Sequence, residues 1–188
     1  MKIIAIGDPH GKLPKNLDKI IKKKGIEIII CVGDIPPVPK GFRRGKSKDF
    51  SKEFLKKADR LFREIVKKLC SFKKPVLILR GNMYLTGSRN KLTKKIFSSH
   101  ENLFYKKTGK VRINRKNFIM FDMSFEPHMY PNAKAWLKKQ FKLNKHREIK
   151  INKLLKGLDD AIIISHAPPF GCLDKTKVGH RGSKILLR

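Results

Sequence analysis

The sequence predicts an α/β protein in which short buried strands alternate with amphipathic helices. Ile3–Ile6 and Ile26–Val32 are runs rich in β-branched residues, the pattern of strands that are covered on both faces. Between them, residues 13–24 carry apolar side chains at helical spacing, and Gly25 follows as a helix terminator. Because a strand, a helix and a strand follow one another within roughly thirty residues, we expect a βαβ unit with parallel strands.

The next segments continue this alternation. Ser51 is placed to cap a helix with Glu53 in its first turn, and apolar residues recur at helical spacing over residues 54–69. Pro75 precedes a third strand at Val76–Leu79, and a short helix is predicted over Asn90–Ser98.

From Asn102 the spacing of the apolar residues approaches every second position, which is typical of strands. Short strands are therefore predicted at residues 103–105, 110–113 and 117–121, in a second, meander-like sheet with turns at Gly109 and Asn114. Further helices are predicted at residues 131–141, 144–158 and 182–187, with an apolar strand at residues 161–164.

The length and composition fit one globular domain, residues 1–188, with a hydrophobic content of 40%. No apolar stretch approaches the roughly 18 residues that span a membrane, and Asp8 interrupts the first apolar run too early for a signal peptide. The cysteines are odd in number and lack metal-binding spacing, so we expect thiols in a reducing cytoplasm. They are Cys31, Cys70 and Cys172.

The charge is strongly basic, with a formal net charge of +31. An excess of this size attracts nucleic acid or another polyanion, although a lysine-rich surface without a specific partner has the same composition. Residues 35–50 combine prolines and glycines with basic residues, among them Arg43 and Arg44. This segment is either a loop that holds phosphate groups or a solvated loop.

Polar side chains follow the ends of four predicted strands. Asp8 and His10 follow the first of these strands, and Asp34 follows the second. Asn82 follows the strand at Val76–Leu79, and His166 follows the strand at residues 161–164. Taken singly, each has a plain structural explanation as a turn or core residue. We expect parallel strands to bring all four ends to one sheet edge, where carboxylate, amide and imidazole groups suit Mn, Fe or Zn.

These ordered blocks, Asp-x-His, Gly-Asp, Gly-Asn and Ser-His-Ala-Pro-Pro, resemble those of the calcineurin-like metallophosphoesterases over the whole chain. The resemblance implies a two-sheet αββα sandwich with two divalent metal ions at the sheet edge. It also implies that Asp8 and His10 hold one ion, that Asp34 bridges both, and that Asn82 and His166 hold the second. Metal-bound water would then hydrolyse a phosphate ester.

Two departures from the family pattern affect the expected activity. Met83 stands where the family usually has a histidine that protonates the leaving group, and a thioether cannot donate a proton. The final Gly-His-x-His block is also missing, so we expect a chain that stops short of the last strands. In the alternative, His180 in Gly-His-Arg-Gly is an extra ligand from a degraded copy of that block.

The leading hypothesis is therefore a metal-dependent phosphoesterase. A phosphodiesterase is favoured because Met83 replaces the usual acid and because the basic surface suits nucleotides or nucleic acid. The alternative is a catalytically weak or inactive module of the same fold that binds nucleic acid or another partner.

Overall fold

The computed structural model describes residues 1–38, 51–81, 87–122, 149–157, 160–176, 179–180, 182–184 and 186. The chain divides into two compact units, Met1–Tyr105 and Lys106–Arg188. The predicted helix at residues 131–141 and most of the basic loop lie outside the described residues. Among the residues that are described, no helix has both the length and the apolar character needed to span a membrane.

The first unit contains a four-stranded parallel sheet. Its strands are β1 (Ile3–Ile6), β2 (Ile28–Cys31), β3 (Val76–Ile78) and β4 (Leu103–Phe104), adjacent in that order. The parallel pairing of β1 with β2 confirms the predicted βαβ unit. The prediction for β4 was wrong, because this strand extends the first sheet beside β3 and takes no part in a meander.

Three helices accompany this sheet: α1 (Leu17–Lys24), α2 (Lys52–Cys70) and α3 (Gly87–Ser98). The α1 helix begins four residues later than its apolar pattern, and Pro14 disfavours helical geometry at the first residue of that pattern, Leu13. Gly25 ends it in the left-handed conformation, with φ of 60°. The predicted cap of α2 is confirmed, because the Ser51 Oγ accepts a hydrogen bond from the Phe54 amide at 3.1 Å.

The core of the first unit forms around the inner face of α2. Its apolar residues belong to one buried cluster with residues of β2 and β3, among them Ile29 and Ile78, and Phe62 is fully buried. The Phe62 ring lies 5.8 Å from that of Phe97 in α3. This apolar layer supports the sheet from which the candidate site emerges.

The second unit contains a three-stranded sheet formed by β5 (Thr108–Ile113), β6 (Lys116–Phe121) and β7 (Ala161–Ser165). A tight turn at Asn114 and Arg115, both with positive φ, joins β5 to an antiparallel β6. Gly109 lies within β5, so the turn predicted there was wrong. Residues 149–155 form a helix, α4, and β7 pairs in parallel with β6.

The end of the second unit is a small β-structure. The strands β8 (Lys175–Thr176) and β9 (Gly179–His180) pair antiparallel, and Ser183 forms an isolated parallel bridge with Pro169. The helix predicted from residue 182 was therefore wrong over residues 182–184. The Gly182 amide donates to Asp174 Oδ2 and the Ser183 amide donates to the Pro168 carbonyl, so these groups do not form a helical turn.

Candidate metal centre

The first part of the candidate site is the loop after β1, which carries Asp8 and His10. Both residues have positive φ, 26° and 43°, and Asp34 after β2 also has a φ of 45°. Non-glycine residues in this region cost about 1–3 kcal/mol each and concentrate at functional sites, where the surrounding structure holds them. Three of the non-glycine residues with positive φ therefore lie in the two predicted ligand blocks.

Backbone hydrogen bonds join these loops to each other and to the loop after β3. The His10 amide donates to the Asp34 carbonyl at 3.1 Å, and the Gly11 amide donates to the Ile35 carbonyl at 2.7 Å. The Asp34 amide in turn donates to the Arg80 carbonyl at 3.2 Å. The ends of β1, β2 and β3 therefore form one connected edge, as the parallel topology predicted.

Asp34 is almost completely buried in this edge, with 5% of its surface exposed, whereas Asp8 is exposed. A carboxylate oxygen of Asp8 and one of Asp34 lie within 4.8 Å of each other. Two carboxylates at this separation repel each other, and a divalent cation between them removes the repulsion. The donor chemistry of this pair therefore fits a divalent metal ion.

His10 is oriented by a backbone carbonyl. Its Nδ1 lies 3.4 Å from the Pro36 carbonyl oxygen. Because a carbonyl oxygen can only accept, a hydrogen bond at this position is donated by Nδ1, which leaves Nε2 as the nitrogen that can bind a metal. This is the arrangement that metal-ligating histidines usually have.

In the second unit, His166 directly follows β7 and is half-buried. The Ser165 Oγ donates to the Ala167 carbonyl at 2.7 Å and so closes the turn around His166. The prediction that all four strand ends lie on one sheet edge was wrong for this strand, because β7 pairs with β6 in the second unit.

A histidine–carboxylate pair lies further along the second unit. The His180 Nδ1 is 2.7 Å from Asp174 Oδ1, and the side chain of Asp174 is 1% exposed. Burial alone would raise the pKa of the Asp174 carboxyl, but hydrogen bonds from His180, Gly182 and Gly171 lower the pKa to about 2. Sequence reasoning missed Asp174, since its spacing of six residues from His180 is the only signal there.

The sequence model of the calcineurin-like phosphoesterase family matches residues 1–184 of this chain.

The chain belongs to the calcineurin-like phosphoesterase family.

A solved structure supports the same fold for this calcineurin-like phosphoesterase. It is 13% identical in sequence, covers 98% of this chain and 77% of its own, and superposes with a TM-score of 0.63. No curated protein matches the chain. The expected α/β fold with two sheets, of the metallophosphoesterase type, is confirmed.

Family membership places the chain among metal-dependent phosphoesterases, which generally use divalent metal ions. Of the predicted site residues, Asp8, His10 and Asp34 lie on the connected edge of the first unit. The remaining predicted positions at the end of β3 and in the basic loop lie outside the described residues. They are Asn82, Met83, Arg43 and Arg44.

Proposed function

We propose that this calcineurin-like phosphoesterase hydrolyses a phosphodiester. Two divalent cations would be held by five side chains: Asp8, His10, Asp34, Asn82 and His166. The observation that supports this most directly is the buried Asp34 carboxylate within 4.8 Å of an oxygen of Asp8. A buried carboxylate beside a second one is stable when a cation lies between them.

The ligand types suggest Mn, Fe or Zn, because carboxylate, amide and imidazole groups are borderline-to-hard donors. No cysteine belongs to the proposed ligand set, which argues against a structural zinc site. When bound, such ions polarise a phosphoryl oxygen and lower the pKa of water. The hydrogen bonds that connect the loops after β1, β2 and β3 hold the backbone of two of these residues, His10 and Asp34.

A diester substrate is favoured over a monoester for two reasons. Met83 cannot protonate a leaving group, so substrates that need little acid assistance should react best. The net charge of +31 attracts nucleotides and nucleic acids, and Arg43 and Arg44 are candidates for phosphate contacts.

The same charge supports a second candidate function, a module that binds nucleic acid or another polyanion with little or no turnover. This candidate predicts salt-sensitive binding, because binding to a polyanion releases counterions. It also predicts that removing a metal ligand leaves the binding unchanged.

The deciding experiment compares Asp34→Ala with the control Asp18→Ala. Asp18 is a half-exposed aspartate of α1 in an ion pair with Lys68, and it is not one of the proposed ligands. Hydrolysis of bis(p-nitrophenyl) phosphate with added Mn, and Mn content by elemental analysis, would be measured for both. We expect Asp34→Ala to lose both properties and Asp18→Ala to keep them.

Hydrolysis that survives in Asp34→Ala would refute the proposed phosphodiesterase. If the unmodified protein hydrolyses nothing with Mn, Fe or Zn but binds single-stranded DNA in a salt-dependent way, the binding module is the correct function. Thermal melting of each variant confirms that a loss is not due to unfolding.

A further inference from the structure

The strand β1 lies at an edge of the four-stranded sheet in the first unit. Among the residues that the structure describes, it pairs with β2 on one side and with no strand on the other. An edge strand presents a row of backbone donors and acceptors to which another chain can bind, and proteins usually protect such an edge with charged residues or proline. The segment Ile3–Ile6 contains neither, and Ala5 is exposed.

The backbone groups on the open side of β1 belong to Ile3 and Ala5. The carbonyl oxygen of Lys2 accepts a hydrogen bond from the amide of Ile28, at the start of β2, at 3.3 Å. The carbonyl oxygen of Ile6 accepts one from the residue after β2 at 3.0 Å. Because the backbone groups of successive residues in a strand point to opposite sides, the two N–H and two C=O groups of Ile3 and Ala5 are directed away from β2.

A largely apolar cavity adjoins this open side. Its volume is about 390 Å³, which is within the range of ligand-binding clefts. Among the described residues that line it, none belongs to β2, so the cavity lies on the side of β1 that β2 does not cover. One wall is β1 with the loop that follows it, and the other is α1 with the residues before it. The lining residues are 4–9, Lys12, Leu13, Pro14, Leu17 and Ile20.

The cavity has basic residues around its apolar centre. Ile20, in the α1 wall, is 39% exposed, and Lys24 lies one helical turn beyond it on the same face. Lys2 precedes β1 and Lys12 lies in the loop after it, so exposed lysines flank the strand at both ends. Asp8 is the acidic residue of the lining, and we propose it as a ligand of a cation. Since the chain has a net charge of +31, a second copy is repelled, whereas an acidic segment is attracted.

We propose that the β1 groove, formed by the open side of Ile3–Ile6 and the cavity beside α1, binds an extended acidic segment of another protein as an added strand. The backbone of this segment pairs with the groups of Ile3 and Ala5, and its alternate side chains enter the cavity, as in other complexes formed by strand addition. A central run of about four or five residues covers β1, because a strand rises about 3.3 Å per residue. Acidic residues on both sides of that run approach the flanking lysines. Binding at the groove requires neither the proposed hydrolysis nor the proposed metal ions.

The probe is a fluorescently labelled synthetic peptide, Glu-Glu-Val-Thr-Val-Thr-Val-Glu-Glu with blocked ends, titrated with the unmodified protein and followed by fluorescence anisotropy. Two control peptides separate the causes of binding. One has lysine in place of each glutamate, and the other is N-methylated at its five central residues, which removes backbone donors without changing the charge. We expect one-to-one binding of the probe, binding of the N-methylated peptide that is weaker by about 10-fold or more, and no binding of the basic peptide.

Protein variants test the two walls of the groove. Ala5→Pro removes an N–H group on the open side, where proline is tolerated in an edge strand, whereas the matched control Ala5→Val keeps this donor. Ile20→Glu places a negative charge in the α1 wall, and its control Ile149→Glu changes another exposed isoleucine, in the second unit. Ala5→Pro and Ile20→Glu should each weaken binding by about 10-fold or more, and each control by less than about twofold. Thermal melting shows which variants are folded.

Equal binding of the N-methylated peptide would overturn the proposal, because charge alone would then attract the probe. The absence of saturable binding, or unchanged affinity in folded Ala5→Pro and Ile20→Glu, would show that the groove does not accept a strand. A dimer of the unmodified protein in analytical ultracentrifugation that Ala5→Pro dissociates would make a second copy the occupant and overturn it too. Because binding is measured without hydrolysis, an inactive protein that binds the probe refutes only the phosphodiesterase proposal.

Discussion

Gly81 approaches Asp34 so closely that a single additional carbon atom does not fit between them. A Cβ atom at Gly81 would collide with both the backbone nitrogen and Oδ1 of Asp34. Because Asp34 is also held by its hydrogen bond to the Arg80 carbonyl, it cannot move away without breaking the connected edge. The Gly-Asn block therefore provides space for the aspartate that we propose as the bridging ligand.

Gly81→Ala should displace the Asp34 carboxylate. Supporting contacts of this kind typically contribute about 10–100-fold to metal affinity, so we expect Mn affinity to fall by at least about 10-fold, and hydrolysis with it. Isothermal titration with Mn measures the first effect and the diester assay measures the second.

Gly157→Ala is the matched control, because Gly157 has the same φ of 73° but, apart from its chain neighbours, no atom of the described residues lies within 4 Å of the added carbon. Both variants carry the strain of alanine in a left-handed conformation, about 1–2 kcal/mol. Only Gly81→Ala adds the collision. Equal Mn affinities in the two variants would show that the close approach to Asp34 is irrelevant to the metal centre.

The side chain of Ser51, which caps α2, should contribute to the free energy of unfolding. Ser51→Ala removes the acceptor for the Phe54 amide and should lower the free energy of unfolding by about 1 kcal/mol, whereas Ser51→Gly should cost only about a few tenths. Urea denaturation followed by circular dichroism measures both changes. Identical losses for the two variants would contradict a capping role.

Asp174 should make stability depend on pH in acid. Its pKa is about 2 in the folded protein against an ordinary value of 3.8, so the native state holds the ionised form more tightly. Stabilisation by the carboxylate is therefore complete above about pH 3.8 and is lost as the pH falls through about 2. Urea denaturation at a series of pH values measures the free energy of unfolding of the unmodified protein and of Asp174→Asn. The difference between the two should shrink as the pH falls across this window.

Asp18→Asn provides the comparison for this experiment. A hydrogen bond from Lys68 lowers the pKa of Asp18 as well, but its side chain is 51% exposed. Water and salt screen such surface pairs. We therefore expect the pH-dependent difference in the free energy of unfolding between the unmodified protein and Asp18→Asn to be smaller and to disappear at high salt. A larger effect at Asp18 than at Asp174 would contradict the structure of the second unit.

The cysteines should differ sharply in reactivity. Cys172 is exposed, whereas burial raises the pKa of the Cys31 thiol to about 12 and that of Cys70 to about 11. A disulfide reagent at about pH 8 should label Cys172 rapidly in the native protein and the other two thiols only after denaturation. Rapid labelling that persists in Cys172→Ser would show that a buried thiol is accessible.

The local elements were predictable because their signals lie in adjacent residues. The serine cap, the glycine terminator and the β-branched runs each act within a few residues, and the structure contains the corresponding helix and strand ends. The choice of pairing partner for a strand has no such local signal. The strand β4 pairs with β3 and β7 pairs with β6, although the apolar patterns of β4 and β7 are compatible with either sheet.

The sequence by itself determined the fold class, the family and the types of polar residue that follow the strands, because these depend on residue identity and short-range spacing. Only the tertiary structure decided that Gly81 makes room for Asp34 and that Asp174 holds His180. Both relationships join residues that are distant in the chain or weakly patterned, and they arise from backbone approach and burial, which no local period encodes.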